Sequence, residues 1–225
     1  MTALARHVLP RTLLFLAALL ALLLLPRWSL AYWQAWLYWA IFAGSVLAIT
    51  LYFLKYDPAL IARRAKAGAA AETERVQKRI QTILSFCFFL LFALPGLDRR
   101  FDWSRVPPAW ALAADAVALA GWALMFASFK ANSFAASTVT VEPDQPVVST
   151  GLYGIVRHPM YLGAALLLGA TPVALGSLWA LIPAAGAIAG LIWRLLEEER
   201  FLVAALAGYA EYRRRIRCRL VPFLW

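Results

Sequence analysis

The chain has little of what a soluble or disulfide-built domain needs. Only two cysteines occur in 225 residues. Cys87 lies inside an apolar run and Cys218 in a basic stretch, so the sequence implies no disulfide framework and no metal site. Charged residues make up 15% of the chain, against 63% hydrophobic residues, which is more apolar content than a soluble core requires. Acidic residues are the scarcer sign, 12 Asp and Glu against 22 Lys and Arg. The resulting net charge of +10 sits in short blocks between apolar stretches and not along one polar face. That pattern argues against nucleic acid as a partner and for anionic membrane lipids. A small-residue cleavage site is also missing after the first apolar stretch, residues 8–25, because Pro26, Arg27 and Trp28 follow it. The stretch reads as a membrane anchor and not as a secretory signal.

What is present is a multi-pass integral membrane protein. A helix needs about 20 apolar residues to cross the hydrocarbon core. Six segments meet or approach that length: residues 9–25, 32–54, 80–94, 109–129, 159–173 and 178–196. The fold class is therefore all-α, a polytopic helical bundle of about six spans. Trp28, Tyr32, Trp33, Trp36, Tyr38 and Trp39 crowd toward the start of the second segment as an interfacial aromatic belt. Residues 55–79, with six Lys and Arg beyond Lys55, read as a short surface helix. Residues 80–94 end at Pro95-Gly96, and residues 130–156 read as extended chain or loop. Only Leu175-Gly176-Ser177 separates the last two segments, which makes them a tight antiparallel hairpin. Residues 1–130 form an N-terminal set of spans and residues 131–225 a C-terminal module.

With six spans the basic loops at 55–79 and 130–157 and the basic tail, Arg213 to Arg219, share one side with the N-terminus, and that side is expected to be cytoplasmic. Arg27, Arg99, Arg100 and Arg105 fall on the other side, partly offset by Asp98 and Asp102. Asp115, several residues inside the fourth segment, is expected to be structural or to snorkel.

Polar chemistry concentrates in residues 151–163, Gly-Leu-Tyr-Gly-Ile-Val-Arg-His-Pro-Met-Tyr-Leu-Gly, just where the fifth segment begins. A second cluster, Arg-Leu-Leu-Glu-Glu-Glu-Arg-Phe-Leu at 194–202, closes the sixth. His158 and Arg194 lie eighteen residues to either side of Gly176, so a hairpin turning there sets them at one depth. His158 and Tyr161 share a helix face at i and i+3, as do Arg194 and Glu198 at i and i+4. Taken alone, Arg157-His158-Pro159 is an ordinary interfacial helix start. Glu197, Glu198 and Glu199 are harder to dismiss. Three acids at a helix C-terminus repel one another and oppose the macrodipole, so something must compensate them. Asn132 is as readily a turn residue as a functional one.

These residues carry a resemblance. Gly151-x-Tyr153, Arg157-His158-Pro159-x-Tyr161-x-Gly163, then Arg194, Glu198-Glu199-x-x-Leu202 and Gly208-Tyr209-x-x-Tyr212 resemble the isoprenylcysteine carboxyl methyltransferase and phospholipid methyltransferase superfamily. The likeness covers about residues 132–222. It implies a methyltransferase using S-adenosyl-L-methionine, held at the cytosolic mouth of the hairpin. By position, Gln145, Pro146, Val147, Val148, Tyr153, His158, Pro159, Met160, Tyr161 and Glu198 would line the cofactor. Arg194 and Asn132 would face the acceptor, and Arg194 with Glu198 would stand at the reacting groups. Near the C-terminus the family more usually has Phe-Gly followed by two residues and Tyr, where this chain has Ala207-Gly208-Tyr209.

The resemblance implies a lipophilic acceptor, most like the carboxylate of a prenylated cysteine, which is ionised at neutral pH and needs no general base. A phospholipid amine and a small thiol stay open as acceptors. Two other readings stand beside methyl transfer: a nicotinamide-dependent reductase of the sterol-reductase type, and a non-enzymatic membrane scaffold.

Overall fold

The computed structural model describes residues 3–72, 74–142 and 145–225; Met1, Thr2, Thr73, Pro143 and Asp144 lie outside the described residues. Helix α1 spans Ala3–Leu24, α2 Trp33–Tyr56, α3 Pro58–Ala65, α4 Arg75–Phe101, α5 Pro108–Ala131, α6 Pro159–Ala174, α7 Leu181–Ala205 and α8 Tyr209–Arg215. Short 3-10 turns at Ala69–Ala71 and Gly151–Gly154 interrupt the connections, and the described residues contain no strand. Helices α1, α2, α4 and α5 are each long and apolar enough to cross a membrane. Helix α6 is apolar but has 16 residues, about 24 Å of rise, short of a hydrocarbon core of about 30 Å. Helix α7 has the length but carries Arg194 and three glutamates. Four spans thus meet the criterion of length and composition, and the expected fifth and sixth, one short and the other charged, pack against α5 and α4.

Two expected helix ends move. Residues 80–94 belong to the longer α4, which runs on through Pro95. Pro95 removes one backbone donor, but its ring is fully buried and the turn beyond it is tied down at Asp98. The Asp98 carboxylate accepts bonds from the Ser104 backbone N–H at 2.8 Å and the Ser177 hydroxyl at 2.5 Å. The same clasp reshapes the hairpin. Its connection is six residues, 175–180, with Gly176 at φ +72°, and α7 starts at Leu181. The later start shifts the register. Arg194 comes level with Tyr161, and His158 comes level with Glu199.

The core is aromatic on one side and stripped to backbone on the other. Tyr38, Phe42, Phe92 and Trp122 interlock between α2, α4 and α5, with ring centroids 5.1–6.1 Å apart. Where α5 meets α6, Gly121 and Gly163 face each other. A Cβ on Gly163 would stand 2.6 Å from the Gly121 carbonyl oxygen and 2.8 Å from Met125 Cγ. Membrane helices approach this closely only over small residues. Gly163→Ala is expected to cost roughly 1–3 kcal/mol by overpacking, read as a lower melting temperature in detergent. Asp115 does not snorkel. It faces this core, 4% exposed, with neither carboxylate oxygen hydrogen-bonded to a described residue.

Candidate functional site

Helix α6 begins at Pro159, whose fixed φ suits the first helical turn. The backbone just before it is held by the chain downstream of α8. The N–H groups of Arg157 and His158 donate to the carbonyls of Cys218 and Arg219, both at 3.0 Å. The Arg157 side chain donates to the carbonyls of Ile216 at 2.7 Å and Arg217 at 2.9 Å. So the segment after α8 is a clamp on the start of α6, whereas the sequence reads as a loose basic tail. Arg157, 6% exposed, is no interfacial anchor either. Its Nε donates to Glu199 Oε1 at 2.6 Å.

Glu199, 3% exposed, is the hub of this cluster. His158 Nε2 lies 3.1 Å from its Oε1, and Arg219 Nε donates to its Oε2 at 3.1 Å. Burial pushes this carboxyl up, but hydrogen bonds and charge from His158 and Arg157 outweigh it and hold the group down at about 2, below its ordinary 4.5. A depressed folded-state value means that the stability from this group is complete above about 4.5 and drains away as pH falls toward 2. Melting temperatures in detergent are expected to fall over that window, and Glu199→Gln to flatten the fall.

The three glutamates are thus compensated one by one. They lie inside α7, which continues to Ala205, and not at its end. Glu197 pairs with exposed Arg200 at 2.5 Å. Glu199 takes the buried cations. Glu198 accepts a hydrogen bond from the Tyr161 hydroxyl and has no cationic partner among the described residues. Arg194, 7% exposed, is already engaged. Its Nη2 lies 2.8 Å from Glu72 and donates to the Ser137 carbonyl at 2.7 Å, while Nη1 donates to Gln77 and Gln81. Glu72 is 4% exposed and comes from the connection between α3 and α4.

These groups wall a cavity enclosing about 820 Å³ of non-protein space, part of it open to solvent. Asn132, Gln145, Pro146, Val147, Val148, Tyr153, His158, Met160, Tyr161, Arg194 and Glu198 all line it, whereas Pro159 sits behind it as the helix start. Asn132 serves as a turn residue as well, its Oδ1 accepting from the Phe134 N–H at 3.0 Å. Tyr209 and Tyr212 fold back onto the cavity, and the Tyr212 hydroxyl donates to the Tyr153 carbonyl at 2.8 Å. Burial pushes the Tyr153 phenol up to about 12, so it stays neutral. The residues to which the sequence assigns no role at the site are Glu199, Glu72 and Arg64. The unexplained glutamate triplet is a signal for the first. Nothing in the polar stretch 55–79 signals the other two.

Arg64 stands between two spaces. Its Nη1 donates to the Ala135 carbonyl at 3.0 Å and lies 3.7 Å from Met160 Sδ, both on the cavity wall. Its Cζ lies 4.2 Å from the Phe129 ring centroid, and it also lines a second cavity of about 1170 Å³. That second space is walled mainly by apolar residues of α1, α2, α3 and α5, among them Phe53, Leu60, Trp122 and Met125. No carboxylate pairs with Arg64 among the described residues. The arrangement offers a polar chamber with one unmatched carboxylate, an apolar chamber beside it and a cation at their junction.

No curated protein matches the chain. Residues 110–207, which cover nearly all of α5 and then run through α6 and α7, match the model of the phospholipid methyltransferase family, so this part of the chain is similar to an integral membrane methyltransferase.

Proposed function

We propose that the chain transfers a methyl group from S-adenosyl-L-methionine to a lipid acceptor, with the cofactor in the polar cavity and the acceptor's hydrocarbon in the apolar one. The observation that carries this reading is the meeting of the two spaces at Arg64. The residues fit the cofactor. Glu198, lacking a cationic partner, suits an ammonium or sulfonium, and Val147, Val148, Leu202 and Leu206 supply apolar wall for a base. The N-terminal turn of α6 suits a carboxylate. When bound, the cofactor supplies an electrophilic methyl for an in-line displacement. The chain's part is orientation, exclusion of water and, for an amine acceptor, uptake of the ammonium proton, for which His158 and Glu198 are the bases on the cavity wall. Tyr161 fixes the Glu198 carboxylate from α6, and the clamp of residues 216–219 fixes α6 itself.

Among acceptors, a phospholipid headgroup amine is favoured over the carboxylate of a prenylated cysteine. A carboxylate acceptor needs Arg194 free, and Glu72 already holds that guanidinium. The positive-inside count supports placing the cavity on the cytosolic face. The test is to give the purified protein methyl-labelled S-adenosyl-L-methionine with a bacterial lipid extract and, separately, with a prenylated cysteine. Label in the aminophospholipid fraction is expected. Label in the prenylated cysteine alone would overturn the choice of acceptor, and label in neither would overturn the function.

A further inference from the structure

At the opposite end of α5, about 36 Å from its cavity end by helical rise, lies another polar space of about 700 Å³. Trp33 and Gln34 from the first turn of α2, Arg99 from the last turn of α4, and Arg105 with Pro108 before and at the start of α5 surround it. The helices α2 and α5 begin here with no acidic residue in the first turn and no side-chain cap, so two positive dipole ends stand uncompensated. Gln34 is 3% exposed, and its buried amide oxygen accepts no hydrogen bond from a described residue. The Arg99 guanidinium has no carboxylate partner among the described residues, and its buried Nε has no hydrogen-bond acceptor. Both side chains lie on the same side of the α6–α7 turn. A Cβ built on Gly176 would be 3.4 Å from Gln34 Nε2 and 4.0 Å from Arg99 Cδ.

Two acids stand at this end, and Asp102 itself lines the space, but both are spoken for. Asp102 pairs with Arg105 at 2.5 Å, and Asp98 is held by Ser104 and Ser177. Arg27 and Arg100 add two more cations at this end. Arg27 bonds the Arg99 carbonyl, and Arg100 lies over the Trp28 ring at 5.0 Å. Four arginines against two aspartates are what a count of loop charges finds awkward on this face. Leaving a half-buried guanidinium unpaired costs free energy, which an anion with several acceptor oxygens would recover, with the Gln34 Nε2 donor beside it. Trp28, Trp33, Trp103 and Trp110, all well exposed, put the space at an interfacial aromatic belt.

We propose that this space binds a phosphate group through Arg99, Gln34 and the first turns of α2 and α5, and that its source is the headgroup of a membrane lipid in the leaflet remote from the methyl-transfer cavity. The test is isothermal titration of the full chain in uncharged detergent with three probes: dihexanoyl phosphatidylglycerol, dihexanoylglycerol and inorganic phosphate. Binding of the phosphatidylglycerol is expected, with affinity about tenfold weaker in Arg99→Gln, the loss of one charge-assisted contact. Inorganic phosphate binding as tightly, with the same Arg99 dependence, would keep the phosphate site and overturn its lipid source. Equal binding of dihexanoylglycerol, or no dependence on Arg99 with any probe, would overturn the site and leave Gln34 and Arg99 to satisfy each other. Should Arg99→Gln not fold, Arg105→Gln alters a side chain 83% exposed and is expected to weaken phosphatidylglycerol about threefold. Unchanged affinity there would count as the same refutation.

Discussion

Glu199→Ala is expected to lower the stability of the protein by roughly 3–5 kcal/mol, the usual loss when one partner of a buried ion pair is removed. For a chain of this length that corresponds to a fall in melting temperature of roughly 6–20 °C. The size of the effect follows from what stays behind. Arg157, 4% exposed at its side chain, and His158, 6% exposed, lose the carboxylate that faces them, and Arg219 loses its hold on α7. The Arg157 guanidinium keeps only the carbonyls of Ile216 and Arg217. Replacing both partners with apolar groups should hurt less than removing one. Arg157→Met combined with Glu199→Met is therefore expected to recover part of the loss. If Glu199→Ala melted within a degree or two of the parent, the cluster would be ornamental and the clamp on α6 would have another source.

Its neighbour in sequence should behave in the opposite way. Glu198→Ala is expected to leave the melting temperature nearly unchanged, because its carboxylate has only the Tyr161 hydroxyl to lose. Binding of S-adenosylhomocysteine, in contrast, should weaken by at least about 30-fold, the low end of what truncating a buried charged contact costs. Tyr161→Phe, which keeps the carboxylate but frees it to turn, should cost up to about tenfold. Titration calorimetry reads both. Unaltered affinity in Glu198→Ala would remove the cofactor from this part of the cavity. With the expected loss, two adjacent residues, about 100° apart around α7, separate folding from binding.

The hydrocarbon spans were legible because an apolar run of about 20 residues suits little besides a helix in lipid. Residues 9–25, 32–54 and 109–129 all lie on α1, α2 and α5, with ends moved by a few residues. Ends set by tertiary contact were not legible. Pro95-Gly96 looks like a stop to any argument from backbone chemistry, yet α4 runs through it under the hold of Asp98 on Ser104 and Ser177. The same hold lengthened the α6–α7 turn, so His158 met Glu199 instead of Arg194. The cavity wall was largely readable, because the Arg-His-Pro and triple-Glu stretches sit at the mouth of one hairpin. Glu72 and Arg64 were hidden for a physical reason. Each side chain is held by an ion pair or a carbonyl contact to a distant segment, which leaves no periodicity in a sequence.

Glu72 has one further consequence, best expressed as a concentration. A carboxylate tethered by a short connection presents itself to its guanidinium at an effective concentration in the millimolar range. Any free carboxylate approaching Arg194 competes with that built-in ligand before it gains anything. An acid present at micromolar levels therefore starts at a disadvantage of about a thousandfold, which only its hydrocarbon could make good.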